Sequence, residues 1–217
     1  MKTEQLIKVL SQQAAREPGL QRPAAAIVLA VIGATFATVV ASILLALYRK
    51  ESIVLADFAD HTTLVKLFFA LTIMCAAAIS IRDFSVPGRR PRIPFVVTVA
   101  PFVFIAAATL VDAYSMAEEQ WNTPVLQGSW WHCLFEVTLL TVPSFVIMTV
   151  AVRQLAPVNL RRAGFFVGLF SGSLSTLCYI LHQNNESLMF AALTHSFSIV
   201  VAAVVGAALG PRVLRWK

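Results

Sequence analysis

His132, Cys133 and Glu136 lie close together in the stretch SWWHCLFEV, at the entrance to a long apolar run. Imidazole, thiolate and carboxylate together can bind a soft or borderline metal ion such as zinc or copper, and a thiol in such company can also answer to an oxidant. At helical pitch the three occupy an arc of about 100° on one face, with Ser129 between them. Cys178 and His182, four residues apart, share a face near the end of a second apolar run. These five residues form a candidate sensing site. The identity of any metal is open, because neither HExxH nor CxxC spacing occurs. The competing reading is a set of interfacial polar groups that hydrogen-bond across a helix bundle. Cys75, in the middle of another apolar run, reads as apolar filling.

The elements that must position these groups follow from composition. The 217-residue chain is 58% hydrophobic and 13% charged. A water-soluble domain of this size needs more charge to cover its surface, so the expectation is an all-α membrane protein. A hydrocarbon core about 30 Å thick takes roughly 20 helical residues. Runs of that length cover about Ala24–Tyr48, Thr62–Ile81, Ile93–Val111, Trp130–Val152, Ala163–Leu181 and Ser187–Leu209. Each must be helical, since lipid offers no partners to an open backbone. Pro101 and Pro143 fall inside the third and fourth runs and are expected to kink them. The first run ends in YRKES without a small-residue cleavage pattern, so no cleavable signal peptide is expected.

Basic residues set the expected orientation. Lys2, Lys8, Arg16 and Arg22 precede the first span; Arg82, Arg89, Arg90 and Arg92 follow the second; Arg153, Arg161 and Arg162 follow the fourth; Arg212, Arg215 and Lys217 close the chain. Only Arg49 and Lys50 flank the spans on the other side. The positive-inside rule therefore predicts cytoplasmic termini, and explains the formal charge of +6 without any nucleic-acid partner. Trp121, Trp130 and Trp131 then fall at the outer interface as headgroup-level anchors. Lys66 and Glu136 are the two charges well inside spans, at matching depth below the outer boundary. Intramembrane charges usually turn inward and pair, so a Lys66–Glu136 ion pair is expected. The alternative is a snorkelling Lys66 beside an isolated Glu136. Gly164, Gly168 and Gly172 recur every fourth residue, as do Ala202, Gly206 and Gly210, and Gly33, Ala37 and Ala41. Such stripes allow helices to approach closely in lipid, which predicts a compact six-helix bundle over residues 24–217.

Residues 1–23 differ in kind. Leu6, Ile7, Leu10 and Ala14 make an apolar stripe at helical spacing, Thr3 can cap it and Pro18-Gly19 can end it. This predicts a short cytoplasmic amphipathic helix that lies on membrane lipid or docks into a partner's groove. The opening MKTEQLIKVLSQQAAREPGLQRP resembles the N-terminal segment of NrsF-type proteins, six-span bacterial anti-sigma factors. The second half is similar along most of its length: Cys133 entering span four, VRQLAPVNLRRAGFFVGLFSG into span five, YILH at its end and GAALGPRVLRW at the close. The resemblance implies that the cytoplasmic N-terminus of a bacterial inner-membrane protein holds an extracytoplasmic-function sigma factor at the membrane until a signal arrives. With the apolar stripe it makes Leu6, Ile7 and Leu10 the expected contacts, and the outer-side residues make metal or oxidative stress the expected signal. It also implies a second cysteine directly after the Leu-His of span five. Gln183 stands there instead, which leaves Cys178, one turn deeper, as the substitute. No enzyme and no resident cofactor is expected beyond a transient metal ion at the outer site. The alternative function is a small metal-ion or solute transporter, which would need polar groups continuing across the midplane.

Overall fold

The computed structural model describes residues 23–49, 60–85, 95–115, 130–155, 157, 159–182 and 187–215. Among these residues the chain forms helices α1 (Pro23–Arg49), α2 (His61–Ser85), α3 (Phe95–Ser115), α4 (Trp130–Gln154), α5 (Leu160–His182) and α6 (Leu188–Val213). All six are long and apolar enough to cross a membrane. The expected amphipathic helix with Leu6, Ile7 and Leu10 lies outside the described residues, as do Trp121 and Gln183. α2 runs past Ile81, where its apolar run stops, through Arg82 and Asp83 to Ser85. Hydropathy marks the membrane boundary, while hydrogen bonding marks the helix end. α3 and α4 each continue through their internal prolines, Pro101 and Pro143.

Successive helices run antiparallel. Phe68 of α2 meets Phe104 of α3 edge-on, while Phe84 at the far end of α2 stacks on Phe166 near the start of α5. Thr141 of α4 shares a hydrogen bond of 2.9 Å with Ser175 of α5. The starts of α2, α4 and α6 therefore share one end of the bundle, here termed the distal end. The described termini, Pro23 and Arg215, share the other. At the distal end Asp60 caps α2: its carboxylate accepts from the Thr62 backbone N–H at 3.2 Å and from the hydroxyls of Thr62 and Thr63. These bonds, with Thr62's hydroxyl foremost, hold the Asp60 carboxyl below its usual range.

α5 is the hub. It packs against α6, α2, α4 and α1, and 83% of its spanning window is buried, against 17% for α3. It is also the least apolar of the six, with a mean hydropathy of 1.6 against 2.5 for α1. Ser171, Ser173, Ser175 and Thr176 are all fully buried along it. The hydroxyls of Ser173 and Ser175 donate to carbonyls of their own helix. Those of Ser171 and Thr176 have no hydrogen-bond partner among the described residues, so what the four share is small size. In lipid the core is selected for close fit rather than for oiliness, because hydrocarbon surrounds the bundle anyway.

The α5–α6 contact is backbone against backbone. A methyl placed on Gly164 would overlap the Gly206 carbonyl, one on Gly168 the Ala202 carbonyl, and one on Gly210 the Leu160 carbonyl. At Gly172 the added carbon would stand 3.0 Å from the Ala202 side chain. The stripe in α1 behaves differently. A methyl on Gly33 would make only ordinary contact with Ile147 at 3.9 Å. Ala30, Ala34 and Thr38 form the buried stripe of α1, and Gly33, Ala37 and Ala41 sit one residue round, half exposed. Small residues in α1 thus mark a face adjoining the contact. Gly168→Leu should accordingly destabilise the bundle by at least the roughly 1–3 kcal/mol of an overpacked core, whereas Gly33→Ala should leave it unchanged. Thermal unfolding in detergent micelles distinguishes the two; equal melting of both variants and wild type would contradict the close contact.

Candidate functional site

The distal ends of α2, α4, α5 and α6 enclose a small second core. Cys133 of α4 is buried there with Val137, Tyr179 of α5 and Phe190 of α6, and Trp130 packs against them. Trp130 meets Phe190 edge-on, with ring centroids 5.3 Å apart. Trp131, one residue on, is 84% exposed, as a headgroup anchor should be. Of the two expected anchors among the described residues, then, one faces outward and the other closes the core. Tyr179 meets His195 of α6 edge-on at 5.6 Å, and the Lys66 ammonium lies near enough to His195 to act on it electrostatically. Lys66 and Glu136 are 2% and 3% exposed. Glu136 lies on the buried stripe of α4, which runs Cys133, Glu136, Val137, Leu140, Ser144 and Met148.

The structure divides the arc His132–Cys133–Glu136. Cys133 and Glu136 are buried while His132 is exposed. The buried stripe follows the three- and four-residue spacing of the helix, and His132, a full 100° step behind Cys133, falls off its edge. Cys178 is buried too, but it belongs to the main core of the bundle with Leu174. The residue that α5 turns toward Cys133 is its neighbour Tyr179. His182 is the last residue of α5, and its side chain lies outside the described residues. His61 is exposed beside Asp60, 3.6 Å from its carboxylate. Among the described residues no three His, Cys, Asp or Glu side chains gather as metal ligands would.

Tyr179, Phe190 and His195 were not among the sequence-derived site residues. His195 carried a usable signal: counted inward from the distal boundary, it lies at nearly the depth of Lys66 and Glu136, and a search for matching depth that admitted histidine would have found it. Tyr179 carried none, because a lone tyrosine in an apolar run fits an outward face equally well.

Across residues 10–216 the chain matches the family model described as NrsF, Negative regulator of sigma F. The chain belongs to the NrsF family. It is 28% identical over 153 residues to the anti-sigma-F factor NrsF of Caulobacter vibrioides, covering 70% of this chain and 72% of that one. It is 31% identical over 112 residues to the probable anti-sigma-F factor NrsF of Azospira oryzae, covering 52% of this chain and 51% of that one. No solved structure matches it. Leu6 and Ile7 precede the residues matched by the NrsF model, and Leu10 is the first of them.

The three thiols of this NrsF-family chain differ in access. Cys75 is exposed on the side of α2, whereas Cys133 and Cys178 are buried. Alkylation requires access of the reagent to the sulfur. Cys75 stands midway along α2 and its exposed side faces lipid, where a thiol stays protonated and N-ethylmaleimide, which attacks the thiolate, reacts slowly. All three thiols should therefore stay largely unmodified by N-ethylmaleimide in the folded protein and react on denaturation. Peptide mass mapping over time reads this, and rapid labelling of Cys133 in the folded protein would refute its burial.

Proposed function

We propose that this chain is a membrane-bound anti-sigma factor that acts by holding an extracytoplasmic-function sigma factor on the cytoplasmic N-terminal segment and releasing it when the distal end perceives a signal. Membership of the NrsF family over nearly the whole chain carries the proposal, with two relatives named as anti-sigma-F factors. The basic residues support the matching orientation: Arg82, Arg153, Arg161, Arg162 and Arg212 all stand at the end that holds the termini. That end is then cytoplasmic, and the distal end faces outward from the inner membrane. The role is regulatory rather than catalytic. Transport is the weaker reading: the hydroxyls of Ser171, Ser173, Ser175 and Thr176 do reach mid-depth, but they are packed into the core of α5 with no access from either side.

The sigma factor would be bound by the apolar stripe Leu6, Ile7 and Leu10. Burying one such side chain is worth roughly 1.5–3 kcal/mol, so losing two should weaken the complex by two to four orders of magnitude. Leu6→Asp combined with Leu10→Asp should release the sigma factor in a co-purification from membranes while the bundle still inserts. Retention at the wild-type level would count against the N-terminal site.

At the distal end we place the signal-responsive element in the core around Cys133, Glu136, Lys66 and His195, with Cys178 and His182 at its margin. Within it Lys66 and Glu136 form an ion pair. Their joint burial supports this, because an uncompensated charge inside a membrane protein is costly. Removing one partner of a buried pair typically costs about 3–5 kcal/mol, and removing both costs less. Glu136→Gln and Lys66→Met should each destabilise strongly, and the double variant should recover part of the loss. Strictly additive losses in micelle unfolding would show that the two do not pair.

A further inference from the structure

A groove on the outside of the bundle runs between α4 and α6, lined by Val137, Thr141 and Val142 on one wall and Val201, Val205 and Leu209 on the other. The hydroxyls of Thr141 and Ser198 on its lining are already engaged. Thr141 donates to the Val137 carbonyl or shares its proton with Ser175, and Ser198 donates to the Thr194 carbonyl. A volume of about 240 Å³ falls below the roughly 300 Å³ at which drug-sized pockets begin, yet suits a stretch of alkyl chain.

The groove leads to two arginines. Thr141 is level with Ser175, and α4 and α5 are antiparallel, so Arg153, twelve residues further along α4, is level with Ala163. Gly164, the next residue of α5, abuts Gly206 of α6. Arg153 thus stands about level with the Gly206–Leu209 turn of α6, and Arg212 lies a turn beyond that. Both arginines are exposed. Each also falls on the groove side of its helix: Arg153 is eleven residues from Val142 and Arg212 eleven from Val201, which is within about 20° of three full turns. Among the described residues the acidic side chain at this end is Asp83, buried on α2.

We propose that the groove between α4 and α6, with Arg153 and Arg212 at its mouth, is a binding site for an anionic phospholipid. The apolar walls take an acyl chain and the two guanidinium groups take the phosphate and its charged headgroup. Basic pockets between spanning helices at the cytoplasmic side hold acidic headgroups in this way, and each arginine near the surface favours an anionic lipid by roughly fivefold. The site is independent of the regulatory role proposed above, since it needs only the bundle and a membrane.

The test uses the full chain purified in dodecyl maltoside and challenged with phosphatidylglycerol, phosphatidylcholine or inorganic phosphate. Native mass spectrometry counts the lipid retained, and the unfolding midpoint reports stabilisation. Phosphatidylglycerol should be retained about thirtyfold more tightly than phosphatidylcholine, the preference falling as salt rises. Arg153→Gln with Arg212→Gln should bring the ratio near one, and Val205→Trp should reduce retention of both lipids. Equal retention of the two lipids by the wild type would overturn the proposal by itself, whatever the variants do. So would a double variant that keeps the preference, or inorganic phosphate that stabilises as well as phosphatidylglycerol, since the groove would then contribute nothing.

Discussion

At Gly164, Gly168, Gly206 and Gly210 the main chains of α5 and α6 touch with no side chain between them, and the rest of the bundle is arranged around that contact. Lipid gives helices no hydrophobic reason to associate. What holds them is dispersion between closely fitted surfaces, and the number of atoms in contact rises steeply as two backbones approach. Glycine removes the obstacle, and α5 carries three at the required interval. Once α6 is seated, the other faces of α5 are left for α2 and α4, with α1 completing the ring through α4. α3 touches the assembly through α2 and α6 and keeps most of its surface outward.

Inversion of the usual hydropathy rule follows from the same constraint. The most buried helix is the least apolar, because a central helix must be slim and can bond polar groups within the bundle, whereas an edge helix must only be greasy. Thr141 and Ser175 illustrate the first condition: one hydroxyl donates to a carbonyl of its own helix and accepts from the other, which gives an inter-helix link and leaves neither without a partner. The distal core around Cys133, Tyr179 and His195 is where larger polar side chains gather in the bundle among the described residues, apart from Asp83 at the other end of α2.

Much of this was legible in the sequence. The spans, the small-residue stripes that let helices approach closely, and the inward turn of Cys133 and Glu136 all follow from length, spacing and the cost of polar groups in lipid. What escaped has a common cause: periodicity fixes which residues share a face, but the face's direction depends on a neighbour the sequence does not name. In α1 the stripe Gly33–Ala37–Ala41 and the buried stripe Ala30–Ala34–Thr38 are equally small and equally periodic. Only the placement of α4 selects between them. His132 and Cys178 illustrate the same point. Each is adjacent in sequence to a residue of the distal core, Cys133 and Tyr179 respectively, and each turns elsewhere because one helical step moves a side chain by 100°.

For a regulator of the proposed kind, the position of α5 matters more than any single side chain. Tyr179 places its distal end in the polar core, while its other end, at Leu160 and Gly164, is pressed against Gly206 and Gly210. A helix held by side chains alone can absorb a displacement at one end by rotamer changes, since side chains are flexible. A backbone-to-backbone contact has no such slack, so α5 and α6 must shift together or separate. Lys66 and Glu136 are both buried at the distal ends of α2 and α4, and buried charge tolerates few packings, which favours a discrete rather than a continuous arrangement there. A signal that favours one packing over another by a few kcal/mol would then be felt at the opposite end of the bundle, where α5 meets α6 and where α1 starts.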